Sequence, residues 1–529
     1  MVAALLGWAP AAQAGHDADS HSPNIRLESR TSLGTPGDIA FWGDFAVVSQ
    51  FVFDEGGTHG FSVVDISDPA RPRELSRFTC PGAGWDISVW RDLVFLSNDD
   101  FTPTEDGSCS APPGGDFYGV KIVSIADPVK PVQVGSVQAP CGGSHTNTVV
   151  PDGPDRVVLY TSSLRFSHDV LGGTGCDAII DVPLADPAAA EVVGALPGDE
   201  VEGCHGVTAF LPRRLLAAAC IKEVRLYDIT DARAPRLISV SANPANNGQH
   251  SASFSNDGMS LVTGEESAFY GSSTPACPGG TAAPLGALWF YDVADPATPV
   301  LKGYHQLPRG FEAPFAQANG CSAHDFNVIP LRGDQDIVVS AWYSGGLSAV
   351  DFTDPAAPRE IAHYQPDLDD EARRAHYWSA YWYRDRVFAT SDFESTRRSL
   401  DVFAIDDPQI TGTYRLPNLN PQTQEAPTEA VGPAPVATPT PGPALGSSTE
   451  PAPGPSGCAA TRARRLRARG RVVRADVLRG QRRVRRLRSR GRTVRLNLRG
   501  LRAGTYVVRV LYLDSSRRVR SLRRRVRIC

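Results

Sequence analysis

The sequence predicts an all-β protein: a seven-bladed β-propeller, then a proline-rich linker and a small immunoglobulin-like β-sandwich. Three observations carry that prediction. One phrase, a short β-type run ending in an Asp-Pro turn, recurs as "GFSVVDISDPARP", "GVKIVSIADPVKP", "LWFYDVADPATP" and "LSAVDFTDPAAP". Its marks fall at Asp68, Asp127, Asp186, Asp231, Asp295, Asp354 and Asp407, spaced by 45 to 64 residues, the length a blade of four antiparallel strands needs. Beyond the last mark the composition changes twice, first to Pro, Ala and Thr, then to arginine alternating with Val, Leu and Tyr.

The elements follow in order. Residues 1–14 form a short apolar run closing on Ala12-Gln13-Ala14, which suits signal peptidase and places the mature start near Gly15. Residues 24–416 hold the blades. The unit ending at Pro358 shows the pattern, with "AHDFNVIP" as inner strand, then "DIVVSAW", "GLSAVDFT" and "PREIAHY". The β-branched and aromatic content of these runs suits strands packed on both faces. The Asp-Pro mark is punctuation: proline fixes φ and removes a donor, while the aspartate accepts from turn amides. Two segments compete to close the ring as an outermost strand, "NIRLESR" near the start and "ITGTYRL" after the last mark. Residues 417–456 lack the apolar surface to fold and read as a semi-extended spacer. Residues 457–529 carry 26 arginines against two acids, Asp476 and Asp514, so the net charge of −5 conceals a strongly acidic body and a cationic tail.

Ten cysteines behind an export signal point to an oxidising compartment, so the protein is expected to be secreted, extracellular or held at the cell surface. Cys204 and Cys220 flank the hairpin "HGVTAFLPRRLLAAA" symmetrically, which favours a bridge between them. The other proposed pairs are Cys80 with Cys109, Cys141 with Cys176, Cys277 with Cys321 and Cys458 with Cys529. A reactive thiol at Cys204, beside His205, is the alternative.

The blade phrases, together with "QHSASFSNDGMSLVTGEE", "AHDFNVI" and "YWSAYWYRDRVFATSD", resemble the LVIVD-repeat proteins over roughly residues 35 to 410. That resemblance implies a bacterial surface β-propeller and assigns no activity. The third unit departs from the pattern, carrying two extra residues before Asp186-Pro187.

Aligning the inner strands gives the column Gly37, Trp85, His145, His205, His250, His324 and Trp378. Four consecutive blades thus place histidine where a propeller's inner strands converge, in a chain with eleven histidines. Neutral imidazole is the common nitrogen ligand of copper, iron and zinc, so His145, His205, His250 and His324 are candidate ligands of a transition metal. His376 and Glu265 are possible additions. Glu265 or Glu266 could instead orient a histidine or accept a proton, and Asp86 and Asp325 read as strand-end aspartates. The competing interpretation is a wet channel lined by mutually hydrogen-bonded imidazoles. No phosphate-binding glycine loop, Gly-x-Ser-x-Gly elbow or dinucleotide fingerprint occurs, which argues against nucleotide-dependent chemistry. The leading functional expectation is an exported binding scaffold with an unknown ligand at the propeller mouth. The alternative is a metal-dependent enzyme of oxidase or oxygenase type. For the tail, anionic cell-wall polymers or lipid headgroups are the expected partners, ahead of nucleic acid.

Overall fold

A computed structural model describes residues 19–51, 59–80, 83–99, 117–140, 142–163, 177–198, 204–246, 248–266, 284, 286–308, 322–366, 376–391 and 398–426, together with the strands between 464 and 528. The chain divides into two units, Met1–Ala434 and Pro435–Cys529. Among the described residues there is no α-helix, and no helix long and apolar enough to cross a membrane.

The first unit is built from antiparallel four-stranded meanders. Their innermost strands are Pro36–Trp42, Ala83–Trp90, Thr146–Pro151, Gly206–Phe210, Gln249–Phe254, Ser322–Val328 and Tyr377–Tyr383; the meanders are called sheets one to seven in that order. Each inner strand packs against the inner strands of both neighbours, and the last returns to the first, so the ring is closed. The fold is therefore of β-propeller type.

Its repeat phrase has a structural cause. Gly60, Gly119 and Gly346 open the third strands of sheets one, two and six at positive φ, and a Cβ on any of them would stand 2.0–2.2 Å from a carbonyl oxygen of the outer strand. Only glycine fits there. At the other end, the mark aspartates accept from the amide two residues on, as Asp68 does from Ala70 (3.1 Å) and Asp354 from Ala356 (3.0 Å). The third unit differs: Asp186 makes no such side-chain bond and precedes a single 3₁₀ turn, Pro187–Ala189.

Of the two candidate closing segments, the N-terminal one is used. Ile25–Ser32 pairs with Ser399–Ile405 from Ile25↔Ile405 to Ser32↔Ser399, completing sheet seven with residues from the other end of the ring's sequence. Ile25 is buried with Phe403, Ile405 and Trp382. The segment "ITGTYRL" forms no strand; its ladder pairing among the described residues is one isolated bridge, Thr413 to Leu331.

The expected linker of 417–456 requires a correction at its start. Residues 417–426 belong to the first unit and thread the ring's interior; 427–456 lie outside the described residues. Asn418–Leu419 pairs with Phe41–Trp42 of sheet one, and Thr423–Gln424 pairs in parallel with Ala209–Phe210 of sheet four. Between them Thr423 N–H donates to the Asn420 carbonyl (2.9 Å), turning the chain at Pro421 and Gln422. The sequence reading missed this because the segment, apart from the buried apolar side chain of Leu419, is held largely by polar side chains. Asn420 donates to and accepts from the backbone of Val89 (both 2.7 Å), and Gln424 does the same with Phe254 (both 2.7 Å). Thr423 donates to the Val149 carbonyl (2.7 Å), and Tyr383 donates to the Pro417 carbonyl (2.8 Å).

The second unit contains a three-stranded sheet, Arg464–Arg467, Thr493–Leu496 and Ser489–Arg490. A four-stranded sheet, ordered Arg482–Arg486, Arg471–Arg479, Gly504–Leu513, Val519–Ile528, accompanies it. Val477 and Val508 face each other in register and are both fully buried.

Cys204 and Cys220 form a disulfide, as their placement around one hairpin suggests. Cys80 is also disulfide-bonded, to a residue outside the described set. The remaining proposed pairs fall on undescribed residues.

Candidate metal centre

The inner strands begin at one end of the ring, and there the histidine column converges. Ring centroids step from His145 to His205 (4.6 Å), His205 to His250 (3.6 Å) and His250 to His324 (4.2 Å). Such close approach needs a bare backbone next to the ligands. Gly206 provides it, since a Cβ there would lie 2.4 Å from the His250 carbonyl oxygen. All four imidazoles are buried.

A carboxyl group sits among them. Nε2 of His205, His250 and His324 lie 4.0, 3.6 and 3.7 Å from the carboxyl oxygens of Glu266. These gaps are too long for hydrogen bonds. They match two ligand atoms sharing an ion at ~2.0–2.2 Å from each. His205, His250 and Glu266 form one grouping whose donor atoms all lie within 4.8 Å of one another; His250, His324 and Asp325 form a second.

Two of the imidazoles have fixed tautomers. His145 Nδ1–H donates to Asp99 (2.6 Å), and His324 Nδ1–H donates to the Trp378 carbonyl (2.6 Å), which makes Nε2 the lone-pair nitrogen of each ring. Tyr343 donates its hydroxyl hydrogen to His324 Nε2 (2.9 Å). Nδ1 of His205 and of His250 has no hydrogen-bond partner among the described residues. Buried polar atoms are normally paired, so these two mark a place where a partner is missing.

The electrostatics keep His205, His250, His324 and Glu266 neutral. Burial, reinforced by neighbouring imidazoles, holds His205 and His250 far below the usual imidazole range. Burial takes His324 down to about 3. Burial likewise raises Glu266 well above the ordinary carboxyl range. Neutral imidazoles are the form that ligates metals.

Below the imidazoles lies a layer of carboxyl groups. Asp38 and Asp86 are buried and bonded to each other, and burial raises both, Asp86 further through repulsion from Asp38. Tyr381 donates to Asp38 (2.5 Å), and Gln422 Nε2 donates to both aspartates (3.4 and 3.3 Å). Asp325 stands 3.7 Å from His250 Nδ1 and 3.3 Å from His324 Nδ1.

The column thus brings together His145, His205, His250 and His324, with Trp378 edge-on to His324 at 4.8 Å. His376 stands one step outside, its Nε2 at 3.2 Å from Ser344 Oγ and its ring 4.9 Å from Tyr343. Glu265 does not reach the cluster. It accepts from Trp289 Nε1 (3.0 Å) inside sheet five, while its neighbour Glu266 faces the histidines, as alternation along a strand requires. Sequence reasoning treated Asp86 and Asp325 as strand ends and overlooked Asp38, Asp99, Tyr343 and Gln422. Only Asp38 carried a signal, one position after Gly37 in the aligned column, as Asp86 and Asp325 follow Trp85 and His324.

The family model of the LVIVD repeat matches residues 34–80, the whole of sheet one. Residues 34–80 thus match an LVIVD repeat, within a fold of β-propeller type. Among solved structures it is similar to hydrazine synthase from Kuenenia stuttgartiensis (12% identity, covering 72% of this chain and 98% of that one, TM-score 0.46). It is also similar to a protein assigned as a 6-phosphogluconolactonase from Bacteroides uniformis (10% identity, 66% and 88%, TM-score 0.43). No curated protein matches.

Proposed function

We propose that this chain is an exported seven-bladed propeller that holds one transition-metal ion, copper, iron or zinc, on His205, His250 and His324 with Glu266, and that it acts as a metal-dependent enzyme. The observation that carries the reading is the spacing of three Nε2 atoms at 3.6–4.0 Å around one carboxyl group. His145 stands next to His205 as a further ligand or as a wall of the site. A bound ion would supply Lewis-acid or redox chemistry of the oxidase or oxygenase kind. The chain's own residues do the rest: Asp99 and the Trp378 carbonyl aim two imidazoles, Tyr343 supplies a hydroxyl, and the carboxyl layer below holds exchangeable protons.

The test is metal content of purified protein after exposure to each ion. One equivalent per chain is expected in the parent, with loss in both His205→Ala and His324→Ala. A parent that stays metal-free would leave the second reading, an exported binding scaffold. That reading is favoured by the length of the connections between second and third strands in sheets two, three and five, residues 99–118, 163–177 and 266–287. On either reading residues 427–456 serve as a spacer, and the arginine-rich unit serves as an immunoglobulin-like β-domain that binds anionic wall polymers or lipid headgroups.

A further inference from the structure

Residues 417–426 enter the ring from the ends of its inner strands, and their turn stops beneath the histidines. Sheets one, two, three, four, five and seven all hydrogen-bond this segment. Pro421 and Gln422, at the tip, line one cavity together with His145, His205, His250 and His324. The cavity measures about 30 Å³. A single water requires ~10–15 Å³ on this measure, so there is room for about two water-sized molecules.

Its polar lining is directional. The roof offers imidazole nitrogens. At the floor, Gln422 spends its Nε2 hydrogens on Asp38 and Asp86, which orients the amide, and its Oε1 is buried without a partner among the described residues. A ligand that fits must present a lone pair upward and an O–H or N–H downward.

We propose that the ligand of this chamber is a small protic molecule of the size of water or hydrogen peroxide, and that Gln422 is the residue that positions it and excludes anything bulkier. The inference rests on the metal reading given above and extends it. The segment at 417–426 is then the floor of the site, supplied by the chain itself.

The experiment uses the full chain loaded with Cu²⁺, with ¹⁷O-enriched water and imidazole as probes and the copper EPR spectrum as readout. The parent should show ¹⁷O broadening from a bound water and keep its spectrum under a hundredfold excess of imidazole. Gln422→Ala should retain copper yet bind imidazole at least tenfold more tightly than the parent. Gln422→Glu, which keeps the shape, should exclude imidazole as the parent does; its melting temperature and that of Gln422→Ala, both close to the parent's, show that the floor is still folded. Imidazole binding equally well to parent and Gln422→Ala, or absence of ¹⁷O broadening in the copper-loaded parent, would overturn the proposal while leaving the metal site intact. A parent that takes up no copper would overturn the metal reading itself, and the chamber ligand with it.

Discussion

Within the site, what a residue does is set by which atom it can still offer. His145 and His324 have spent Nδ1 on Asp99 and on the Trp378 carbonyl, so only Nε2 remains for an ion. Partners of this kind typically govern metal affinity by ~10–100-fold. Asp99→Ala is therefore expected to weaken metal binding within that range in a competitive chelator titration if His145 is a ligand; unchanged affinity would remove His145 from the ligand set. A second carboxyl speaks to stability. Asp177 accepts from the amides of Ser163 (3.2 Å) and Cys204 (3.3 Å), and burial lifts it from 3.8 to about 6. The folded state thus binds this proton more tightly than the unfolded chain, so stability falls as pH rises from about 4 to about 6 and is level beyond. Asp177→Asn should flatten that fall in denaturant midpoints taken at pH 4, 5, 6 and 7, whereas the same slope in both proteins would contradict the assignment. At this scale the sequence was legible where the repeat carried the information. The four histidines share one repeat position and could be aligned. Glu266 could not be told from Glu265, because adjacent residues differ only in the face they present, and that depends on where the strand's register starts.

Among the elements, closure of the ring and closure of its channel are both made by segments from outside the repeats. Ile25–Ser32 supplies the outermost strand of sheet seven, removing an exposed edge and tying the chain's start to its last blade. Ile25 is 2% exposed, so Ile25→Ala should cost about 2–5 kcal/mol. Ile410→Ala, in the segment that lost the competition and is only half-buried, should cost clearly less. Equal costs in urea unfolding would argue against the N-terminal closure. The strand patterns of the sheets were readable because each alternates or runs apolar between turn signals. The segment at 417–426 was not, since "PNLNPQTQEA" has the composition of the spacer that follows. What distinguishes it is a set of amides that match unpaired backbone groups inside the ring, and that match exists only once the ring is assembled.

For the whole molecule, charge separates the two units. The 26 arginines of the tail should make retention on anionic wall fragments fall steeply between low and high salt, since screening shortens the reach of exposed charges. Retention that ignores salt would mean that another force holds it. The propeller-type body was foreseen from seven recurring marks, because a module that cannot bury its own faces must stack on copies of itself. The floor of the channel and the carboxyl layer were not foreseen, because they arise where residues from sheets one, two and six meet at the hub, far apart in the chain. The central claim is that the hub is a metal centre. Anomalous diffraction at the absorption edge of the bound metal tests it most directly: the account predicts one peak about 2 Å from Nε2 of His205, His250 and His324. A metal-exposed crystal with no peak there, or with a peak only elsewhere on the molecule, would contradict it.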